Sequence, residues 1–113
     1  MKVLLVDDHA IVRSGLRRLF TALPGVQISE AATGREALAM VRADRPALIV
    51  LDLNLPGLGG LELLRRLLAE HSEARVVVLS MHAEALYATR ALRAGAAGYL
   101  SKNASPEELL RSG

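Results

Sequence analysis

The chain has 113 residues and no cysteine, with 14 Lys and Arg against 12 Asp and Glu for a formal charge of +2. That length suits one domain with its own apolar core, and the lack of Cys excludes a disulfide framework, thiolate catalysis and Cys-ligated zinc or iron–sulfur sites. One Phe, two Tyr and no Trp are too few for a platform that stacks single-stranded nucleic acid. The opening run MKVLLV is too short for a signal peptide or a membrane span, so a cytoplasmic domain without membrane attachment is the expectation.

Lys2 to Val6 is an apolar strand that ends on Asp7 and Asp8. Asp8 is placed to cap a helix whose inward face, at helical spacing, is Val12, Leu16, Leu19, Phe20 and Leu23. Arg13, Arg17 and Arg18 on that helix read as an ordinary solvated face. Pro24-Gly25 stops it. Val26 to Ala31 reads as a second strand, and Thr33-Gly-Arg-Glu36 has the spacing of a capping box that opens a helix with Ala37, Leu38 and Val41 inward. Arg45-Pro46 breaks that helix.

The third strand is the uninterrupted apolar run Ala47 to Leu51, closed by Asp52. Its length and β-branched content fit a strand buried on both faces. A carboxylate there is costly unless it faces solvent, a cation or a partner. A Pro- and Gly-containing loop, Asn54 to Gly60, leads into a helix with Leu61, Leu64, Leu67 and Leu68 as its apolar stripe. Arg75 to Ser80 is a fourth buried strand. The helix that follows, roughly Ala83 to Ala94, is rich in Ala and should be thinly docked. Gly95 and Gly98 bracket a turn into a short fifth strand, Tyr99-Leu100, and Ser105-Pro106-Glu107-Glu108 resembles a capping box opening a last helix.

Strands that alternate with helices argue for an α/β fold, a parallel sheet covered on both faces with right-handed crossovers. Ligands in such sheets bind beyond the carboxyl ends of the strands. Asp7 and Asp8, Asp52, Ser80 and Lys102 all fall at that edge, delivered by separate loops. Clustered carboxylates repel one another and suit a hard divalent cation such as Mg²⁺. A carboxylate nucleophile, a cation, an amine and a hydroxyl around one position are what an incoming phosphoryl group requires, which points to phosphoryl transfer onto Asp52. No G-x-x-x-x-G-K-[ST] motif occurs, so a nucleoside triphosphate is not the expected direct donor, and Gly57-Leu-Gly59-Gly60-Leu-Glu62 fails the dinucleotide fingerprint.

In this order and spacing the chain resembles the receiver domains of two-component response regulators, the flavodoxin- or CheY-like fold. The phrases VDDHAIVRSGL, LDLNLPGLGGLELL, VVVLSMH and GAAGYLSKNASPEELL are most similar to the NarL/FixJ-like subfamily, whose regulators carry a LuxR-type helix-turn-helix output domain. The resemblance implies a doubly wound five-stranded sheet in the order 2-1-3-4-5, and roles for single residues. Asp52 would accept phosphoryl from a histidine kinase or phosphotransfer protein. Asp8 would bind Mg²⁺ directly, Asp7 through water, and Asn54 through its carbonyl, alongside Asp52. Lys102 would pair with the phosphoryl oxygens, Ser80 would move to bond them, and Tyr99 would turn inward as Ser80 moves. Met81, His82 and Asn54 flank this pocket and, by resemblance, tune the phosphoryl lifetime. His9, His71 and His82 lack metal-ligand spacing, and His9 and His71 are expected on the surface.

Two departures stand out. Many receivers have Pro after the lysine, whereas this chain has Asn103, so a trans Lys102-Asn103 peptide is expected. The last helix is short for the family, and residues 1–113 form a receiver domain alone, which reads as an excised part of a transcription regulator. DNA contact would then belong to a missing output domain, and pairing of two copies would depend on phosphorylation. Other classes fit less well. A haloacid-dehalogenase-type phosphatase needs a second Asp where Asn54 stands, and the intact Asp7-Asp8, Asp52 and Lys102 set argues against a phosphorylation-independent binding module.

Overall fold

Short apolar runs make the strands and longer amphipathic stretches make the helices of this chain, in strict alternation. A computed structural model describes residues 1–53, 59–80 and 85–101. Strands β1 (Lys2–Val6), β2 (Gln27–Ala31), β3 (Leu48–Asp52), β4 (Arg75–Ser80) and β5 (Gly98–Ser101) alternate with helices α1 (Ala10–Thr21), α2 (Gly34–Asp44), α3 (Gly60–Glu70) and α4 (Ala85–Arg93). All neighbouring strands are parallel, in the order β2-β1-β3-β4-β5.

Successive strand residues point to opposite faces, and each face has its own core. Val3 and Leu5 of β1 pack with Leu16 and Phe20 of α1. Leu4 and Val6 pack on the other side with Val41 of α2 and Leu63, Leu64 and Leu67 of α3. All five residues of β3 are buried, Asp52 included. That central position explains the unbroken apolar run, because neither face of β3 meets water. Each fully buried leucine here contributes about 2 kcal/mol.

The helix ends depart from the sequence reading in instructive ways. The N-cap of α1 is His9, with no side-chain capping bond; Asp8 stands one residue too early to cap. Leu23 is 39% exposed rather than part of the core, because α1 ends at Thr21 and the chain leaves helical phase before reaching it. At α2 the capping box forms: Glu36 N–H donates to Thr33 Oγ1 at 3.1 Å. Its return bond is shifted by one residue, with Glu36 Oε1 accepting from Ala32 N–H at 3.1 Å. The buried stripe of α3 is Gly60, Leu63, Leu64 and Leu67, so the expected Leu61 and Leu68 lie half-buried at its margins. Among the described side chains of α4, Ala91 is buried and Leu92 is 51% exposed, which agrees with a thinly docked helix. The Lys102-Asn103 peptide and the last helix lie outside the described residues.

Candidate functional site

Strand order reverses between β1 and β3, since the crossover from β1 leads to β2 on one side and the chain then returns to β3 on the other. A crevice opens at such a point beyond the strand ends. Register decides what stands there. Val6 pairs with Leu51, so the next residue on each strand places Asp7 beside Asp52. Sheet-like bonding continues past both strands, from Asp7 N–H to Ala31 O at 3.1 Å and from Leu53 N–H to Leu79 O at 2.9 Å. The two carboxylates are therefore carried on ordered backbone and buried, Asp7 at 1% and Asp52 at 0% exposure.

Asp8 lies at the rim, with its side chain 33% exposed. His9 folds back over the pair. Its backbone N–H donates to Asp7 Oδ1 at 2.8 Å, and its ring Nδ1 lies 3.0 Å from the same oxygen and 3.2 Å from Asp8 Oδ1. One ligand atom from each of Asp7, Asp8, His9 and Asp52 falls within 4.8 Å of all the others. Opposite ligands on a small divalent cation stand about 4.2 Å apart, so closure by a few tenths of an ångström lets this set hold one. Three mutually repelling carboxylates also supply the charge that such a cation neutralises.

A second layer braces the β1–α1 loop. Arg13 Nη1 donates to the Asp7 carbonyl oxygen, while its Nε donates to Glu30 Oε1 at 3.0 Å. Arg17 Nε bonds the other oxygen of Glu30 at 2.7 Å. The hydrogen bond from Arg17 chiefly lowers the Glu30 pKa; partial burial opposes it, and the Arg13 bond and both guanidinium charges add to the lowering. Arg13 and Arg17 thus tie α1 to β2 instead of forming only the solvated face expected of them.

Of the remaining predicted site residues, Ser80 closes β4 in register with Ser101, one step beyond the Asp52–Leu79 pair. Its backbone is at the same sheet edge as the carboxylates. Tyr99 pairs with Val78 and is half-buried against the core. Lys102, Asn54, Met81 and His82 lie outside the described residues. One of the two histidine expectations needs correction. His9 is on the surface as expected, with its side chain 59% exposed, and it joins the ligand cluster despite its lack of metal-ligand spacing. His71 is 7% exposed rather than on the surface; it caps the end of α3 with its N–H bonded to Leu67 O at 3.0 Å. No helix among the described residues is long and apolar enough to cross a membrane.

A doubly wound parallel sheet with an acidic, cation-competent pocket at its switch point defines a signalling domain of CheY-like fold. The chain belongs to the response regulator receiver domain family, whose model matches residues 3–112. It is 40% identical over 113 residues to the response regulator GacA of Pseudomonas protegens, covering 99% of this chain and 53% of GacA. It is 37% identical over 111 residues to the response regulator UvrY of Escherichia coli K12, covering 97% of this chain and 51% of UvrY. The chain thus spans about half the length of the curated relatives it matches. Among solved structures, a LuxR-family two-component response regulator from Aurantimonas superposes with a TM-score of 0.90 at 41% identity, over 97% of this chain and 79% of that one. A response regulator from Burkholderia pseudomallei, solved with a phosphorylated aspartic acid, a calcium ion and citrate, gives 0.89 at 31% identity, over 98% of this chain and 65% of that one.

Proposed function

We propose that this domain receives a phosphoryl group on Asp52 from a histidine kinase or phosphotransfer protein, with Mg²⁺ in the acidic pocket, and thereby switches an output surface. The observation that carries this reading is the pairing of Asp7 and Asp52 across the β1–β3 switch point, with their ligand atoms and those of Asp8 and His9 within 4.8 Å of one another. A carboxylate at 0% exposure is a poor surface group but a well-oriented nucleophile once its charge is balanced.

In the transfer, an Asp52 oxygen attacks phosphorus, the nitrogen–phosphorus bond of the donor phosphohistidine breaks, and the leaving imidazole retains the electron pair and takes up a proton. The product is an acyl phosphate on Asp52. Asp8 and Asp52 would hold the cation directly, Asp7 through water, and Asn54 through its carbonyl. The cation offsets the charge that builds on the phosphoryl oxygens. Lys102 pairs with those oxygens, and Ser80 moves to donate a hydrogen bond, leaving room for Tyr99 to turn inward. Water attack on the acyl phosphate resets the switch. The phosphorylated aspartate of the Burkholderia pseudomallei neighbour supports this chemistry.

In the intact regulator this switch controls transcription in the cytoplasm, through an output domain that follows residues 1–113 and contacts DNA, with two phosphorylated copies pairing. The LuxR-family Aurantimonas neighbour supports that role. The test is intact mass spectrometry after incubation with a small phosphodonor, with and without Mg²⁺. A Mg²⁺-dependent, base-labile adduct that is lost in Asp52→Asn is expected. Unchanged labelling of Asp52→Asn would overturn Asp52 as acceptor, and no adduct on folded wild type would leave a phosphorylation-independent binding module.

A further inference from the structure

We infer that His9 supplies a nitrogen donor to the cation site and so sets which divalent cations this domain prefers; this rests on the cation site proposed above. Around a small six-coordinate cation with bonds of about 2.1 Å, neighbouring donors stand about 3.0 Å apart. His9 Nδ1 lies 3.2 Å from Asp8 Oδ1, the separation of adjacent ligands rather than of remote ones, and 3.0 Å from Asp7 Oδ1, which reaches the cation through water. The tautomer gives those distances their meaning. With its proton on Nδ1 the ring hydrogen-bonds the carboxylates. With the proton on Nε2, the Nδ1 lone pair faces two acceptor oxygens, a repulsive arrangement that a cation relieves by bonding Nδ1 and Asp8 directly and Asp7 through water.

The backbone favours the second role as much as the first. The His9 N–H already satisfies Asp7 Oδ1 at 2.8 Å, so Asp7 does not depend on the ring for its hydrogen bond. The side chain is 59% exposed and makes no helix-capping bond, so neither burial nor capping accounts for a histidine there. The consequence is chemical selectivity. An all-oxygen pocket suits Mg²⁺, whereas an added imidazole favours borderline cations such as Co²⁺ and Ni²⁺, which bind nitrogen more strongly. This pocket therefore binds Co²⁺ far more tightly, relative to Mg²⁺, than oxygen donors alone would allow.

The test compares wild type with His9→Asn, which exchanges the ring nitrogen for an amide and keeps a good N-cap residue. Mg²⁺ binding is followed by backbone amide shifts, and Co²⁺ binding by its visible absorption and by the paramagnetically shifted ring N–H signal of a bound imidazole. In neutral to slightly alkaline buffer, His9→Asn should weaken Co²⁺ by about tenfold or more and Mg²⁺ by less than about threefold, and the shifted ring signal should vanish. Equal losses for the two cations, or a ring signal that survives in His9→Asn, would overturn the assignment of His9. Wild type that shows no amide shifts at Asp7, Asp8 and Asp52 with either cation would remove the cation site itself, so the two failures are distinguishable.

Discussion

Gly60, the first residue of α3, lies directly over the backbone of Leu53: a methyl group on Gly60 would stand 2.3 Å from the Leu53 carbonyl oxygen and 2.7 Å from its Cα. Leu53 follows Asp52 in the chain, so this close approach fixes how the polypeptide leaves the acidic pocket. Gly60→Ala should cost about 2 kcal/mol, since backbone and not a yielding side chain must move. Gly15, in the exposed middle of α1, has nothing among the described residues within 4 Å of the same position, and Gly15→Ala should instead stabilise by about 0.5–1 kcal/mol. Urea unfolding of both variants checks the pair. Equal effects of one sign would mean that Leu53 does not constrain Gly60.

The Glu30 bridge to Arg17 and Arg13 makes an acid-sensitive contribution. Its carboxyl is held below the ordinary value of 4.5, first by the Arg17 hydrogen bond. A group whose folded pKa is depressed adds stability that is complete above its unfolded pKa and is lost as pH falls through the folded one. The stability difference between wild type and Glu30→Gln should therefore be constant near neutrality and shrink once pH drops below about 4.5. Urea midpoints measured across that range provide the check. Parallel curves for the two proteins would show that the bridge does not survive in solution.

His71 presents the opposite case, a polar ring buried with one nitrogen unsatisfied among the described residues. It is 7% exposed, and its Nδ1 has no hydrogen-bond partner among the described residues. An unsatisfied buried nitrogen costs about 1–3 kcal/mol, and an apolar replacement of similar size removes that cost. His71→Leu should leave stability unchanged or raise it by about 1 kcal/mol. A clear fall in melting temperature would mean that the ring is bonded in solution and packs better than leucine.

What was legible from sequence was set by period and punctuation. The apolar runs of β1, β3 and β4 and the Thr33–Glu36 cap were readable because their signals are local. That Asp7 and Asp52 share one sheet edge was readable from the strand–helix alternation, while the neighbouring of their strands came only with the resemblance. His71 was misplaced, and the part of His9 in the cluster was missed, for one reason: spacing along the chain carries no information about a rotamer or about the turn that ends a helix. Glu30 was invisible as a brace because its partners Arg13 and Arg17 lie 17 and 13 residues away, and nothing but the β2–α1 packing joins them. Leu23 failed because an apolar residue just beyond a helix looks, in sequence, like one more turn of it.

The acidic cluster should also make folding and cation binding oppose each other in a measurable way. Asp7 and Asp52 are almost wholly buried side by side, so whatever repulsion the groups bonded to them leave between the two is poorly screened by water. Asp7→Asn removes one charge and retains an oxygen that can still accept the His9 N–H, which reaches Asp7 Oδ1 at 2.8 Å. In a chelator the variant should be more stable than wild type by about 1 kcal/mol, and more so at low ionic strength. With Mg²⁺ added the ranking should narrow or reverse. A ligand that binds only the folded state at tenfold over its Kd adds about 1.4 kcal/mol, and wild type gains that increment while Asp7→Asn gains less. Thermal melts in chelator and in Mg²⁺ separate the two effects. A variant that is less stable than wild type without cation would mean that the Asp7 charge is already balanced within the protein, and the pocket would then lose its electrostatic reason to bind Mg²⁺.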